Sequence, residues 1–306
     1  MKLYAPKYYP SFTCIADRCP HSCCIGWEID VDADTARRYR GLREGYGRTV
    51  RESVSETDGV MHFVLGEGER CPHLDDRGLC RIILELGEDH LCEICREHPR
   101  FYHDTPNGKE VGLGMACPEA CRLILSSADY KTTVAVGTLA GDAAETDFDA
   151  IAQRARIYDI LSDASVPYAR RLQHLEHTWG VSPAQRSDED WRSFFGELEY
   201  LDARHKAWFS HYSHSAVLPR WAEEYGERFL AYLVFRHCSD AIDFEELFAS
   251  LGFCLLCERL LASVAADRSC GSMEELIPLA CAISEELEYS EENTEAIKLA
   301  FWSEAE

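Results

Sequence analysis

Four cysteines crowd into CIADRCPHSCC, at Cys14, Cys19, Cys23 and Cys24. Six more follow as Cys71 and Cys80, the pair Cys92-x2-Cys95 and the pair Cys117-x3-Cys121. Thiolate is a soft ligand that suits zinc and iron–sulfur clusters, and short spacings let one turn of backbone aim two sulfurs at the same centre. One such pair would be ordinary, whereas four groups within the first 121 residues predict a metal centre. The competing explanation is buried apolar thiols. It fails on local context, because Cys14, Cys19, Cys23, Cys71 and Cys80 stand beside Pro, Asp, Arg, His and Gly in turn-like sequence. It holds for Cys254 and Cys257 in GFCLLCERLL, and for Cys238, Cys270 and Cys281, which read as core packing. Spacing does not separate structural zinc from a 4Fe-4S cluster. The Cys-x3-Cys-x2-Cys run of radical enzymes is absent. His21, His73, His90, His98 and His103 lie among the cysteines and are expected to hydrogen-bond or face solvent rather than replace a sulfur.

Short elements must position these thiols. Asp32 or Asp34 can cap a helix through ADTARRYRGLREGYGRTVRESV, and VMHFVL alternates like a brief strand. Asp76-Arg77-Gly78 reads as a tight turn, LCRIILELG as helix, and PNGKEVGLGM as a turn followed by an extended piece. CPEACRLILSS starts a helix with Pro118 in its first turn. The small-residue stretch SSADYKTTVAVGTLAGDAAETD reads as a junction, and its Gly137 and Gly141 do not make a nucleotide-binding loop. From Phe148 onward the chain reads as successive amphipathic helices, with Asp190 and Asp243 at N-cap positions. The expected fold is mainly α: a cysteine-rich metal-binding part with short β elements over residues 1–125, then a multi-helical part over residues 126–306.

The 306 residues are enough for two domains of ordinary size. A formal net charge of −23 repels phosphate backbones, so nucleic acid is not an expected partner. MKLYAPKYYPSF has no apolar h-region, and the reading finds no later stretch of about 20 uninterrupted apolar residues. A cytoplasmic location without membrane association is therefore expected, where thiols stay reduced and fifteen cysteines serve better as ligands than as disulfides.

The motif order is more specific than the spacing. FTCIADRCPHSCCIGWEIDVD, then RCPHLDDRGLCRIILELGEDHLCEICREHPRF, then GLGMACPEACRLIL, resembles the flagellin lysine-N-methylase family, whose members carry a zinc- or iron-chelating cysteine cluster. The likeness covers residues 12–125 closely, and FLAYLVFRHCSDAID, from Phe229 to Asp243, resembles the family's C-terminal Tyr and Arg helix. The resemblance implies Cys14, Cys19, Cys23, Cys24, Cys71, Cys80, Cys95 and Cys117 as the metal-binding set, with Cys92 and Cys121 outside it. His98 stands where the family often has a tyrosine before Pro-Arg.

It further implies methyl transfer from S-adenosylmethionine to lysines of a protein substrate, flagellin being the family's, with an iron–sulfur cluster, 4Fe-4S, or zinc as the second cofactor. Lysine methylation needs a neutral amine and a route for its proton, because the ammonium pKa lies near 10.4. Glu119, beside Cys117, together with Arg100, Tyr232 and Arg236, are the candidate catalytic residues. Two other readings compete: a noncatalytic zinc-stabilised module that binds a basic partner, and an iron–sulfur redox protein.

Overall fold

The computed structural model describes residues 1–106, 108–141 and 148–302. In chain order these form β1 (Lys2–Pro6), α1 (Ala33–Gly41), α2 (Gly45–Glu52), β2 (Val54–Thr57), β3 (Val60–Phe63), α3 (Arg81–Leu86), α4 (Glu93–Glu97), β4 (Arg100–Thr105), β5 (Gly108–Leu113), α5 (Pro118–Ser126) and β6 (Thr133–Thr138). The helical run follows: α6 (Ala150–Leu161), α7 (Tyr168–Trp179), α8 (Asp188–Glu197), α9 (Ala203–Phe209), α10 (Glu223–His237), α11 (Phe244–Asp267), α12 (Met273–Ile283) and α13 (Glu291–Trp302). The mainly helical class is as the sequence predicts. Residues 142–147 of the expected junction and 303–306 at the end lie outside the described residues.

The chain divides into two compact units, Thr13–Arg100 and a larger one made of Met1–Phe12 with Phe101–Glu306. Residues 101–125, grouped by the sequence reading with the cysteine-rich part, supply most of β4, all of β5 and nearly all of α5 to the larger unit.

In the smaller unit, the helix expected as one piece after Asp32 is two. Asp32 caps α1 by accepting from Thr35 N at 2.9 Å. The chain then turns extended at Leu42 and Glu44, and Gly45 takes φ +54° to start α2. β2 and β3 form an antiparallel hairpin, and β3 also receives the segment around Asp30. The core holds Ile29, Val31, Tyr39, Val50, Phe63 and Ile82, with Cys71 and Cys92 among them.

In the larger unit a four-stranded sheet runs β4-β5-β1-β6, with β1 parallel to β5 and antiparallel to β6. Gly108 enters β5 at φ +137°, where a Cβ would sit 2.4 Å from Lys2 O, so only glycine fits. β6 lies in the stretch read as a junction, and β1 in a leading segment to which the sequence assigns no element. Both are short and lie in small-residue or Tyr/Pro-rich sequence, and long-range pairing makes them strands, β1 with β5 and β6, and β6 with β1.

α11 is the central helix. It is long and apolar enough by length and composition to cross a membrane, with a mean hydropathy of 1.7, but 94% of that window is buried inside the unit against α10, α12 and α13. This helix qualifies the expectation that no such stretch exists. Asp243 caps it by accepting from Glu246 N, as expected. The expected cap at Asp190 is corrected, because Ser187 caps α8 and Asp190 donates its N–H to that hydroxyl at 3.1 Å. Cys238, Cys254, Cys257 and Cys281 are buried in this core, and Cys270 is partly buried.

Candidate functional site

Backbone pairing in the smaller unit gathers the thiols. Ile25 bridges Arg70, Cys71 N donates to Cys24 O at 2.8 Å, and Gly26 N donates to Glu69 O at 3.1 Å, so Cys24 and Cys71 sit side by side. Asp75 then closes a loop by accepting from Arg77 N and Leu79 N, both at 2.9 Å. That turn, with Gly78 at φ +79°, returns the chain so that Leu74 pairs with Cys80. Cys80 stands at the N-cap of α3, and Cys92 at the N-cap of α4, whose first turn carries Cys95. The second carboxylate oxygen of Asp32 accepts from Glu93 N at 2.9 Å, tying the start of α4 to the start of α1.

The thiols influence one another's ionisation. Burial pushes Cys71 up to about 12, with Cys24, Cys80 and Cys92 each adding to the rise. Burial likewise raises Cys80, and Cys24 and Cys92 contribute. A hydrogen bond from Cys23 draws Cys24 down to about 7, helped by Ser22 and the Arg70 guanidinium. The Cys92–Cys95 hydrogen bond lowers Cys92 and raises Cys95. Such mutual influence is what neighbouring ionisable sulfurs produce. Cys24, Cys71, Cys80, Cys92 and Cys95 thus share one region. No cysteine among the described residues is in a disulfide. Thiols are the soft donor type that a thiolate-bound metal centre uses, and backbone pairing places these in one region.

Cys92 lies within this group although the resemblance leaves it out. Cys14, Cys19 and Cys23 lie on the more exposed leading segment, where the Cys19 thiol donates to His21 O at 2.9 Å. Cys117 belongs to the larger unit, at the N-cap of α5, and Cys121 is buried there against Cys281. His73 is not a spare ligand. Its ring is buried, Tyr46 Oη and Ser53 Oγ each lie 2.8 Å from one of its nitrogens, and burial lowers its pKa to about 4.

The larger unit brings together two of the four catalytic candidates. Tyr232 Oη accepts from Met115 N at 3.0 Å and donates to the Glu288 carboxylate at 3.1 Å. Arg236 reaches the same hydroxyl at 3.1 Å, with its Nε 3.4 Å from Glu288 Oε2. Its guanidinium lies between the rings of Phe101 and Tyr289, 4.8 and 4.7 Å from their centroids. Gly114 leaves room for this packing, since a Cβ there would fall 1.9 Å from Tyr289 Oη.

His237 Nε2 donates to Glu288 at 2.9 Å. Burial lowers His237 to about 4 against the pull of that carboxylate, so it is a neutral donor. Burial alone would raise Glu288, but Arg236 and the His237 bond outweigh it and hold it below the ordinary range. Burial keeps Tyr232 far above its ordinary value, so it retains its proton. The network can orient groups but offers no ready base at neutral pH. Sequence reasoning missed Glu288, which sits in the acidic run SEELEYS, and His237, whose neighbour Arg236 was the available signal.

Glu119 pairs with Arg122 on α5 at 2.6 Å. Arg100 belongs to the smaller unit, and its guanidinium donates to Arg96 O at 3.4 Å. Among the described residues, the group of metal-capable side chains whose ligand atoms lie within 4.8 Å of one another is His205, Glu285 and Glu286, all buried; the thiols are neighbours without forming a group that tight.

Three bacterial proteins resemble the chain. The flagellar biosynthetic protein FliU of Salmonella muenchen is 30% identical over 133 residues, 40% of this chain and 77% of that protein. The lysine-N-methylases of Salmonella typhimurium and Salmonella choleraesuis are likewise 30% identical over 133 residues, which is 32% of each. The match thus spans about a third of the length of the two lysine-N-methylases. No protein-family profile matches the chain, and no solved structure does.

Proposed function

The chain belongs to the flagellin lysine-N-methylase family, and from that premise we propose that it transfers methyl groups from S-adenosylmethionine to lysine side chains of a protein, flagellin being the first substrate to test. In that step the sulfonium C–S bond breaks, a C–N bond forms at lysine Nζ, and S-adenosylhomocysteine and one proton leave. The observation that carries the reading is the convergence of Cys24, Cys71, Cys80, Cys92 and Cys95 in a chain 30% identical to proteins named lysine-N-methylase.

Four thiolates suffice for an iron–sulfur cluster of the 4Fe-4S type, and these five, with Cys14, Cys19 and Cys23 on the leading segment, are the donors from which its ligands would be drawn. When bound, such a cluster supplies a one-electron couple and a fixed anchor, whereas zinc in its place would supply the anchor alone. The chain's own contribution lies elsewhere. Acidic side chains favour a cationic substrate, and the Tyr232–Arg236–Glu288 network holds β5, α10 and the segment before α13 in one arrangement.

The test is anaerobic purification, metal analysis with a visible spectrum, and incubation with flagellin and S-adenosylmethionine labelled in the methyl group. Iron and sulfide in the protein, and label on flagellin lysine, are expected. Zinc-loaded protein that leaves flagellin unlabelled and does not bind S-adenosylmethionine by calorimetry would replace this reading with the noncatalytic module.

A further inference from the structure

A cleft of about 670 Å³ opens in the smaller unit between the β2–β3 hairpin, the segment entering α1, and α4. Its walls are apolar: Val31, Val60, Met61 and Ile94 line it, and Val60 and Ile94 remain 49% and 48% exposed. Its rim is acidic. Asp30, Glu56 and Glu93 line the cleft, and no hydrogen bond or ion pair within the described residues engages their carboxylates. Asp32 also lines it, but both its oxygens are used in capping α1 and α4. Arg40 is the cation among the lining residues, so the carboxylates prevail.

An open cleft with apolar wall residues beside unpaired carboxylates matches a side chain with a long methylene stem and an ammonium head. From the charge and the walls together we infer that the cleft docks a lysine side chain of the substrate protein, with the stem against Val60, Met61 and Ile94 and the ammonium among Asp30, Glu56 and Glu93. This rests on the lysine-methylating reading above. The wall formed by α4 carries Glu93 and Ile94 toward the cleft, and on the same short helix Cys92 and Cys95 join the thiol group. The docking site and the thiols are therefore built from one element.

The experiment uses the full chain, purified anaerobically, and a fluorescein-labelled nine-residue peptide with one central lysine flanked by valine and alanine and no other charge. Anisotropy is read for the wild type, for Asp30→Asn combined with Glu56→Gln, and for Glu189→Gln as a control carboxylate in the larger unit. Removal of two exposed charges from the surroundings of an ammonium corresponds to roughly two- to thirtyfold in affinity. The expected result is a five- to tenfold loss in the double variant, a similar loss when norleucine replaces the peptide lysine, and no change in the control. Far-UV circular dichroism checks that the double variant is folded, as its exposed, unpaired sites require.

Equal binding by the folded double variant, or equal binding of the norleucine peptide, overturns the inference, as does competition by millimolar magnesium that abolishes binding regardless of the lysine. Methyl transfer to flagellin, measured on the same preparations, separates the two readings. Transfer that persists at the wild-type kcat/KM in the double variant removes the cleft and leaves the methylase. Cleft-dependent binding with no transfer in any preparation removes the methylase and leaves the cleft as a lysine-docking site.

Discussion

Single buried side chains carry unequal loads here. The Tyr232 hydroxyl satisfies Met115 N–H and donates to Glu288, and its removal leaves a buried donor and part of a buried carboxylate unserved. Tyr232→Phe should therefore cost about 1–3 kcal/mol of the larger unit's stability in urea denaturation. Because the phenol keeps its proton at neutral pH, methyl transfer per folded molecule should stay within about threefold. A loss of turnover in a variant of unchanged stability would instead give Tyr232 a direct catalytic role. Glu258 behaves differently. It is fully buried on α11, accepts from Tyr168 Oη at 3.1 Å, and has no hydrogen-bond partner at Oε2 among the described residues. Burial raises it from 4.5 to about 7, opposed by Arg259 and the Tyr168 bond. A carboxyl raised in the folded state is protonated in both states below pH 4.5, so it imposes no penalty there. As pH rises through 7 the unfolded chain holds fewer protons, and about 3 kcal/mol of stability is lost. Glu258→Gln should match the wild type at pH 4.5 and exceed it by about 1–3 kcal/mol at pH 8 in parallel denaturation series.

At the scale of elements, Asp32 joins two helices through one carboxylate, which its hydrogen bonds from Thr35 N and Glu93 N hold down at about 2 despite partial burial. Asp32→Ala removes both caps, and about 1–2 kcal/mol should disappear from the smaller unit's stability. Faster amide exchange at Thr35 and Glu93 together would show that one residue serves both ends, whereas a change at Thr35 alone would not. α11 and α13 give a second case. Gly252 lets the ring of Phe301 approach so closely that a Cβ would lie 2.6 Å from it. Gly252→Ala should cost about 1–3 kcal/mol, seen as a lower Tm of the larger unit. Elements with a strong period were legible in the sequence: α3, α5, α11 and the Asp243 cap stand where periodicity and turn chemistry put them. β1 and β6 were not, because their pairing joins residues more than a hundred apart and their composition carries no alternation. The split of the first helix at Leu42 was hidden for the opposite reason: a helical pattern continues across the break, and only Gly45 marks the new start. Of the five neighbouring thiols, Cys71 and Cys80 stand in turn-like surroundings that set them apart in the sequence. Cys92 does not, since it sits at an apolar boundary, and Glu288 was indistinguishable from the acidic residues around it.

At the scale of the whole molecule the two units differ in what holds them. The larger one buries α11 almost completely within a shell of helices, and such a core needs no other support. The smaller one has a cluster of eleven buried apolar residues, two of which are the thiols Cys71 and Cys92. Its helices α3 and α4 are six and five residues long, too short to persist on propensity. A core of that size yields only a few kcal/mol, whereas a thiolate-bound metal contributes on the order of 10 kcal/mol, and only to the folded form. With the proposed metal bound, stability of Thr13–Arg100 should therefore follow it, and stability of the larger unit should not. Stripping the anaerobic protein with a chelator, then mapping hydrogen exchange by mass spectrometry, should show protection lost around Cys24, Cys71, Cys80 and Cys92 and retained through α10 and α11. Cys80→Ser should reproduce that pattern, and Cys254→Ser, deep in the helical core, should leave metal content unchanged. Protection that survives in Thr13–Arg100 after complete metal removal would mean that its apolar residues suffice, and that the thiols gather there for chemistry rather than for folding.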